Sequence, residues 1–343
     1  MATLYVNRRA TSIHREGQHL VVKQRGMGSA VNVQTVPLHE VTGVVVVGEP
    51  SITFPALSCF IQRQIPVSFL SVGGSWRGCI DTASDNYGER RRKQYQLASE
   101  QARFLEIAKA ILSAKLYNAR RLLQRLSANR RPHVSWTSPE DLQHVHQLQW
   151  IATHLHQCAS PNALRGMEGL GAVHYFSLLS TFFPPDAAFQ GRRRHPAKDP
   201  ANALLSWAYS LLLSELIASV RHHGLDPAMG VLHVNANRSP ALALDLIEPF
   251  RPCADRLTLN LLTRHIIHPQ THFKRLPSGA VMLNDEGRSR VFSAYETMLS
   301  RTFVSPNTGK QTTLRESLHQ QVLHYLHFLE DQTATVTSFF KIP

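Results

Sequence analysis

The sequence predicts an α+β fold, with an N-terminal β-rich domain followed by a mainly α-helical domain. Three observations predict it. Residues 1 to about 85 hold short apolar runs of strand length, separated by turn signals such as Glu16-Gly17, Gly26-Met27-Gly28 and Gly73-Gly74. At Asp85-Asn86-Tyr87-Gly88 that pattern stops and a helical one begins. Beyond it, three Ser-Pro or Asp-Pro pairs carry the signature of helix starts.

In chain order, strands are expected at residues 3–6, 19–23, 31–36, 41–47 and 66–72, with one short helix over 55–64. The run Arg90, Arg91, Arg92, Lys93 reads as a solvated face or linker that also suits phosphate. A long helix is expected from Gln94 to about Ala128. Ser138-Pro139-Glu140-Asp141 combines a capping Ser, Pro in the first turn and two acids facing the helix dipole. Ser160-Pro161 and Asp199-Pro200 repeat that logic. Residues 273–284, with Pro277-Ser278-Gly279, read as a hairpin. Helices over about 288–301 and 312–331 and an aperiodic tail, 332–343, close the chain. The domain division expected is 1–89, β-rich, and 90–343, helical.

The chain has 343 residues, long enough for a substantial core without disulfide or metal staples. It carries 37 basic and 24 acidic residues, a net charge of +13, and 29 of the basic residues are arginine. Arginine's planar fork grips phosphate bidentately, so an Arg-heavy basic chain points to a polyanionic partner, most often nucleic acid. The 43% apolar content argues against disorder. Four cysteines, at 59, 79, 158 and 253, contain no C-x-x-C pair; this spacing fits neither a zinc site nor a disulfide scaffold and suits a reducing cytoplasm. No basic stretch followed by a long apolar run opens the chain, so no signal peptide is expected. Residues 203–220 contain one charge, Glu215, but Asn202, Ser206, Ser210 and Ser214 recur every four residues. A polar stripe is costly in lipid, so this helix is read as buried inside a protein, with no membrane partner.

Two constellations offer chemistry. His144, His146, His154, His156 and Cys158 crowd into fifteen residues. Positions two apart diverge on a helix, so solvated histidines are expected there in preference to a zinc centre. The second is sparser: Glu168, His233, Asp245 and Glu248, each among apolar neighbours. Asp245 and Glu248 are three apart, hence on one face if helical. Unpaired carboxylates there would be costly, so an Arg, a protonated His or a metal ion should compensate them. Carboxylates with one imidazole suit Mg²⁺ or Mn²⁺, the ions of phosphodiester chemistry. The alternative is local salt bridges, such as Asp245 with Arg238 and Glu248 with Arg251.

Four blocks around these residues carry a resemblance: LRGMEGLGAVHY (164–175), DPANALLSWAYSLL (199–212), GLDPAMGVLH (224–233) and LALDLIEPFRPCADR (242–256). In this order they resemble the CRISPR-associated adaptation integrase, the larger, catalytic subunit that inserts spacers into the repeat array. The β-rich start and KLYNARRLLQR (115–125) agree with that layout. The resemblance implies a metal-dependent DNA endonuclease and integrase, with Glu168, His233 and Glu248 as catalytic metal ligands. Asp245 would then be an adjoining or alternative ligand, and Asn202 and Tyr209 would lie beside the site. It implies double-stranded DNA as substrate, a homodimer, and a small ferredoxin-like CRISPR subunit as partner. Candidate DNA contacts are Arg90, Arg91, Arg92, Arg120, Arg121, Arg192, Arg193 and Arg238. A DNA-binding scaffold whose acids are only structural is the rival reading.

Overall fold

A computed structural model describes residues 2–8, 10–25, 30–80, 87–129, 138–193, 196–233, 239–331 and 339–343. The N-terminal part holds strands β1 (Ala2–Val6), β2 (Thr11–Glu16), β3 (His19–Arg25), β4 (Ala30–Pro37), β5 (Val41–Val47) and β6 (Ser51–Ile52). Helix α1 (Phe54–Gln62) and strands β7 (Val67–Leu70) and β8 (Trp76–Ile80) follow. They form two four-stranded sheets, β1-β5-β7-β8 and β4-β3-β2-β6. β1, β5 and β7 run parallel, and β8 pairs antiparallel with β7. β2 went unanticipated because its TSIHRE sequence holds a single apolar residue, Ile13; it forms by pairing with β3 and β6.

β5 explains how this part joins the rest. Its sequence is apolar on both faces, as expected of a strand buried on both sides. Val44 and Val46 point into a core shared with Ile13, Leu20 and Phe60, while Val45 and Val47 point into the core of the helical body. Tyr5 reinforces the junction: its ring stacks on Phe292 at 4.5 Å and its hydroxyl donates to Glu296 at 2.6 Å.

The helical body contains α2 (Gly88–Leu97), α3 (Gln101–Asn129), α4 (Pro139–His154), α5 (Pro161–Ser180), α6 (Pro200–His222), α7 (Ala241–Leu246), α8 (Arg251–Thr263), α9 (Asp285–Ser300) and α10 (Leu314–Glu330). The single long helix expected from Gln94 is two, broken at 98–100, and the Arg90–Lys93 run lies on α2. All three anticipated starts are capped by the side chains read from sequence: Ser138, Ser160 and Asp199 accept from the amides of Asp141, Ala163 and Asn202. The hairpin appears as β9 (Phe273–Arg275) and β10 (Val281–Leu283), with Gly279 at φ +79° in its turn. A second hairpin, β11 (Thr302–Val304) and β12 (Gln311–Thr313), precedes α10.

α6 is the one helix, among the described residues, long and apolar enough to cross a membrane, yet most of it is buried in the protein. Its stripe is satisfied internally: Ser206 and Ser214 donate to the carbonyls four residues earlier, and Glu215 meets Arg315 at 3.3 Å. The end of the chain is not loose. Phe339, Phe340 and Ile342 are buried, and Phe340 stacks on Phe250 at 4.2 Å. Asn118, fully buried on α3, donates to Phe340 O and Pro249 O and accepts from Ile342 N.

Candidate active site

The acidic centre is assembled on α3, α5, the segment ending at His233, and the turn after α7. α5 carries Glu168 and α3 carries Lys115, one turn before Asn118. Pro249 prevents α7 from continuing, so Glu248 opens a short 3₁₀ turn, Glu248–Phe250, and Pro252 sits in the first turn of α8. Asp245 and Glu248 therefore lie on different elements, a departure from the single helix face expected. Both still reach the same imidazole.

Asp245 is fully buried. Its carboxylate accepts from the amides of Val231, Leu232 (2.9 Å) and His233 (2.9 Å), and from His233 Nδ1 at 2.6 Å. Gly230 makes this possible: a Cβ there would come within 2.7 Å of Asp245 Oδ2 and of the Ala241 side chain. With Nδ1 turned to Asp245, His233 presents Nε2 toward Glu248 Oε1, 3.9 Å away. Burial opposes the charged imidazole, but the Asp245 hydrogen bond and the surrounding acids outweigh it and raise the His233 pKa.

Glu248 is 1% exposed. Its Oε1 accepts from Arg251 Nε at 2.7 Å, the salt bridge foreseen as the alternative reading; the other foreseen partner, Arg238, lies outside the described residues. Lys115 Nζ sits 2.6 Å from Glu248 Oε2 and 2.7 Å from Glu168 Oε1. Oε2 is thus held by the Lys115 ammonium. Burial alone would raise the Glu248 carboxyl; Arg251 and Lys115, then His233, bring it down to about 2. Burial likewise works against the Lys115 ammonium, but Glu248 and Glu168 raise its pKa. Sequence reasoning required a cation here and weighed Arg, His and metal; the lysine from α3 was missed. Its signal was its place in KLYNARRLLQR, one of only eight lysines.

A second buried carboxylate lies alongside. Asp255 accepts from Tyr175 OH at 2.7 Å and from Tyr209 OH. Burial pushes its carboxyl up to about 6, against the two hydroxyls. The Tyr209 ring lies under two guanidinium carbons, Arg251 at 4.6 Å and Arg192 at 5.3 Å from its centroid. Lys115, Glu168, Tyr209, Arg192, Arg251 and Asp255 all line one cavity of about 70 Å³. Asn202 stands one step further out. It is fully buried, accepts from Arg192 Nη1 (2.9 Å) and Arg193 N (2.8 Å), and so fixes the basic loop against α6.

The other sequence candidates separate by their partners. Arg90 is tied to Glu330 and to His223 O, and Arg92 to Glu89. Arg91 and Arg120 are partly buried, and Arg121 and Arg193 exposed. The histidine-rich segment gives a His144–His174 contact, Nδ1 to Nδ1 at 2.7 Å, and a His154 ring stacked on Trp150. Among the described residues no group of three or more His, Cys, Asp or Glu side chains stands ready to hold a metal ion, in this segment or elsewhere. At the acidic centre, the Lys115 ammonium occupies the point on which Glu168 and Glu248 converge.

Comparison with known proteins places this geometry. The profile of "CRISPR associated protein Cas1" matches residues 4–297. A CRISPR-associated endonuclease Cas1 from Thermus thermophilus is 32% identical over 320 residues, covering 93% of each chain. One from Rhodospirillum rubrum is 34% identical over 302 residues, covering 86% of this chain and 85% of the relative. Among solved structures, a casposase bound to its integration product superposes with TM-score 0.85 at 23% identity, over 99% of this chain and 95% of the other. A Cas1 protein from Thermotoga maritima does so with TM-score 0.78 at 23% identity, over 97% and 98%.

Proposed function

The chain belongs to the Cas1 family, and from that premise we propose how its residues carry out the chemistry. It is a CRISPR-associated DNA endonuclease and integrase that acts in adaptation, inserting spacer DNA into the repeat array. The observation that carries the reading is the convergence of Glu168 Oε1 and Glu248 Oε2 on one cationic nitrogen, with His233 Nε2 turned toward the same carboxylate.

The residues present fit a divalent cation. Two carboxylate oxygens already meet at one positive point, and an imidazole nitrogen faces them. Hard oxygen donors with one imidazole suit Mg²⁺ or Mn²⁺. Glu168, His233 and Glu248 would hold the ion, which when bound polarises the scissile phosphodiester and helps activate the attacking 3′-hydroxyl. Asp245 is no ligand in this scheme, because its oxygens are already committed to three amides and an imidazole. It holds the proton on Nδ1 and leaves the Nε2 lone pair available, the role of an outer carboxylate behind a metal-binding histidine. Arg251 and Lys115 keep Glu248 ionised at any working pH. With the ligands fixed in advance, catalysis rests on positioning and charge stabilisation.

Double-stranded DNA is the substrate on this reading. A homodimer formed through residues 1–89 works with a small Cas2-type subunit, while residues 90–343 bind metal and DNA. Neighbours described as a Cas6-RT-Cas1–Cas2 complex and as a casposase bound to integration product support the two partner classes. The test is a half-site integration assay in Mg²⁺ with Glu168→Ala, His233→Ala and Glu248→Gln proteins. Each should lose strand transfer while staying folded. Wild-type integration by any of the three would remove that residue from the site.

A further inference from the structure

We propose that a second cavity, between α3, α8, α9 and the last residues of the chain, is a binding site for a phosphorylated nucleotide. It has a volume of about 580 Å³ and is lined by five arginines, Arg125, Arg256, Arg264, Arg290 and Arg301, and by no Asp or Glu side chain. Arg290 is paired with Glu286 at 2.7 Å. Among the described residues the other four have no carboxylate within ion-pair distance. Arg125 feels the crowding: burial, then the charges of Arg121, Arg256 and Arg301, lower its pKa.

Arg125 and Arg256 are partly buried and Arg264 and Arg301 exposed; four like-charged guanidinium groups lining one concavity repel one another, and a shared anion would relieve that. Their fork geometry matches phosphate oxygens. The opposite requirement comes from the floor, where Leu122, Leu257, Met298 and Phe303 offer an apolar surface that phosphate alone leaves uncovered. A ligand satisfying both ends carries phosphate at one side and, at the other, a body whose face can cover apolar side chains, as a nucleotide's base does. The nucleotide is either free or the terminal unit of a single strand; the chemistry recognised is the same.

This site is separate from the acidic centre. The two cavities share only Pro252, at the first turn of α8, with Arg251 and Asp255 on one side and Arg256 on the other. Its occupancy can therefore be measured without metal and without turnover.

The experiment is calorimetric titration of the full chain with ADP in low-salt buffer containing EDTA. One ADP per chain should bind. Arg256→Gln and Arg301→Gln should each weaken it about tenfold or more, the loss of one charge-assisted bidentate contact. Arg290→Gln, whose charge is already met by Glu286, should change it less than about threefold. Arg256→Lys and Arg301→Lys, which keep the charge and the fold but lose the fork, should fall between. Displacement of ADP by a 5′-phosphorylated single-stranded tetranucleotide would assign the ligand as a strand end; failure to displace it would assign a free nucleotide. Absence of binding at millimolar ADP would overturn the proposal. So would unchanged affinity in the Arg256→Gln/Arg301→Gln double variant, or inorganic pyrophosphate binding as tightly as ADP.

Discussion

Asp245 Oδ1 lies 2.6 Å from His233 Nδ1 and also accepts the backbone amide of His233 at 2.9 Å. One carboxylate thus fixes both the ring and the main chain of the same histidine. Asparagine cannot reproduce this, because its NH₂ would face donors where Asp245 has only acceptors. Asp245→Asn should therefore weaken Mn²⁺ affinity and lower strand transfer by about 10–100-fold, as loss of an outer carboxylate does. Integration measured against Mn²⁺ concentration separates the possibilities. A loss as complete as that of Glu248→Gln, not relieved by added metal, would mean that Asp245 is itself a ligand.

Lys115 holds together two acids that would otherwise repel each other in a buried site. Lys115→Met keeps much of the length and removes the charge. Breaking a buried ion pair by deleting one partner costs about 3–5 kcal/mol, because the remaining charges stay uncompensated. The variant should melt several degrees below wild type in EDTA. On the proposed scheme a divalent cation would take over the same point, so Mn²⁺ should raise its Tm more than it raises that of wild type. Equal Mn²⁺ shifts in the two proteins would show that Lys115 and the metal do not share a place.

Much of this was legible before any coordinates, and the failures have physical causes. Helix starts at Ser138, Ser160 and Asp199 were readable because a cap is local chemistry: one side chain, one amide, three residues apart. The four acidic and histidine positions were readable as charged residues stranded in apolar surroundings. Lys115 was not, since it meets Glu248 from 133 positions away along the chain and its helix gives no local reason to bury it. The tail's aperiodicity was legible, and residues 339–343 form no helix or strand, while 332–338 lie outside the described residues; its burial was not legible, for the same reason. Phe339, Phe340 and Ile342 have no periodicity, and their burial depends on a distant side chain, Asn118. β2 illustrates a third case, where pairing with neighbours outweighs a weak strand pattern.

Asp255 gives a pH-dependent prediction. Its carboxyl is raised from 3.8 to about 6 by burial. The folded state therefore holds this proton more tightly than the unfolded chain does. The stability it contributes is fully present below about pH 4 and is lost as pH rises through about 6. A two-unit difference corresponds to roughly 3 kcal/mol as an upper bound. Asp255→Asn has no such proton to lose. Its stability relative to wild type should rise between pH 4 and 7, measured by urea unfolding at each pH. A constant difference across that range would show that Asp255 is not held protonated by the fold.

The arginine excess should appear as salt dependence, and the partner each arginine already has sets the expectation for its share. A protein neutralising about six to ten phosphates loses on the order of 10³–10⁵ in DNA affinity between 50 and 200 mM salt. Arg92 already spends its charge on Glu89, and Arg90 on Glu330. Arg121 is exposed on α3 and, among the described residues, has no acidic partner. Arg121→Gln should reduce the slope of log affinity against log salt by about one, whereas Arg92→Gln should leave it nearly unchanged. Fluorescence anisotropy with labelled duplex DNA measures both. Equal slopes for the two variants would remove Arg121 from the DNA path, and a flat salt response in wild type would mean that the net charge of +13 is not what holds the substrate.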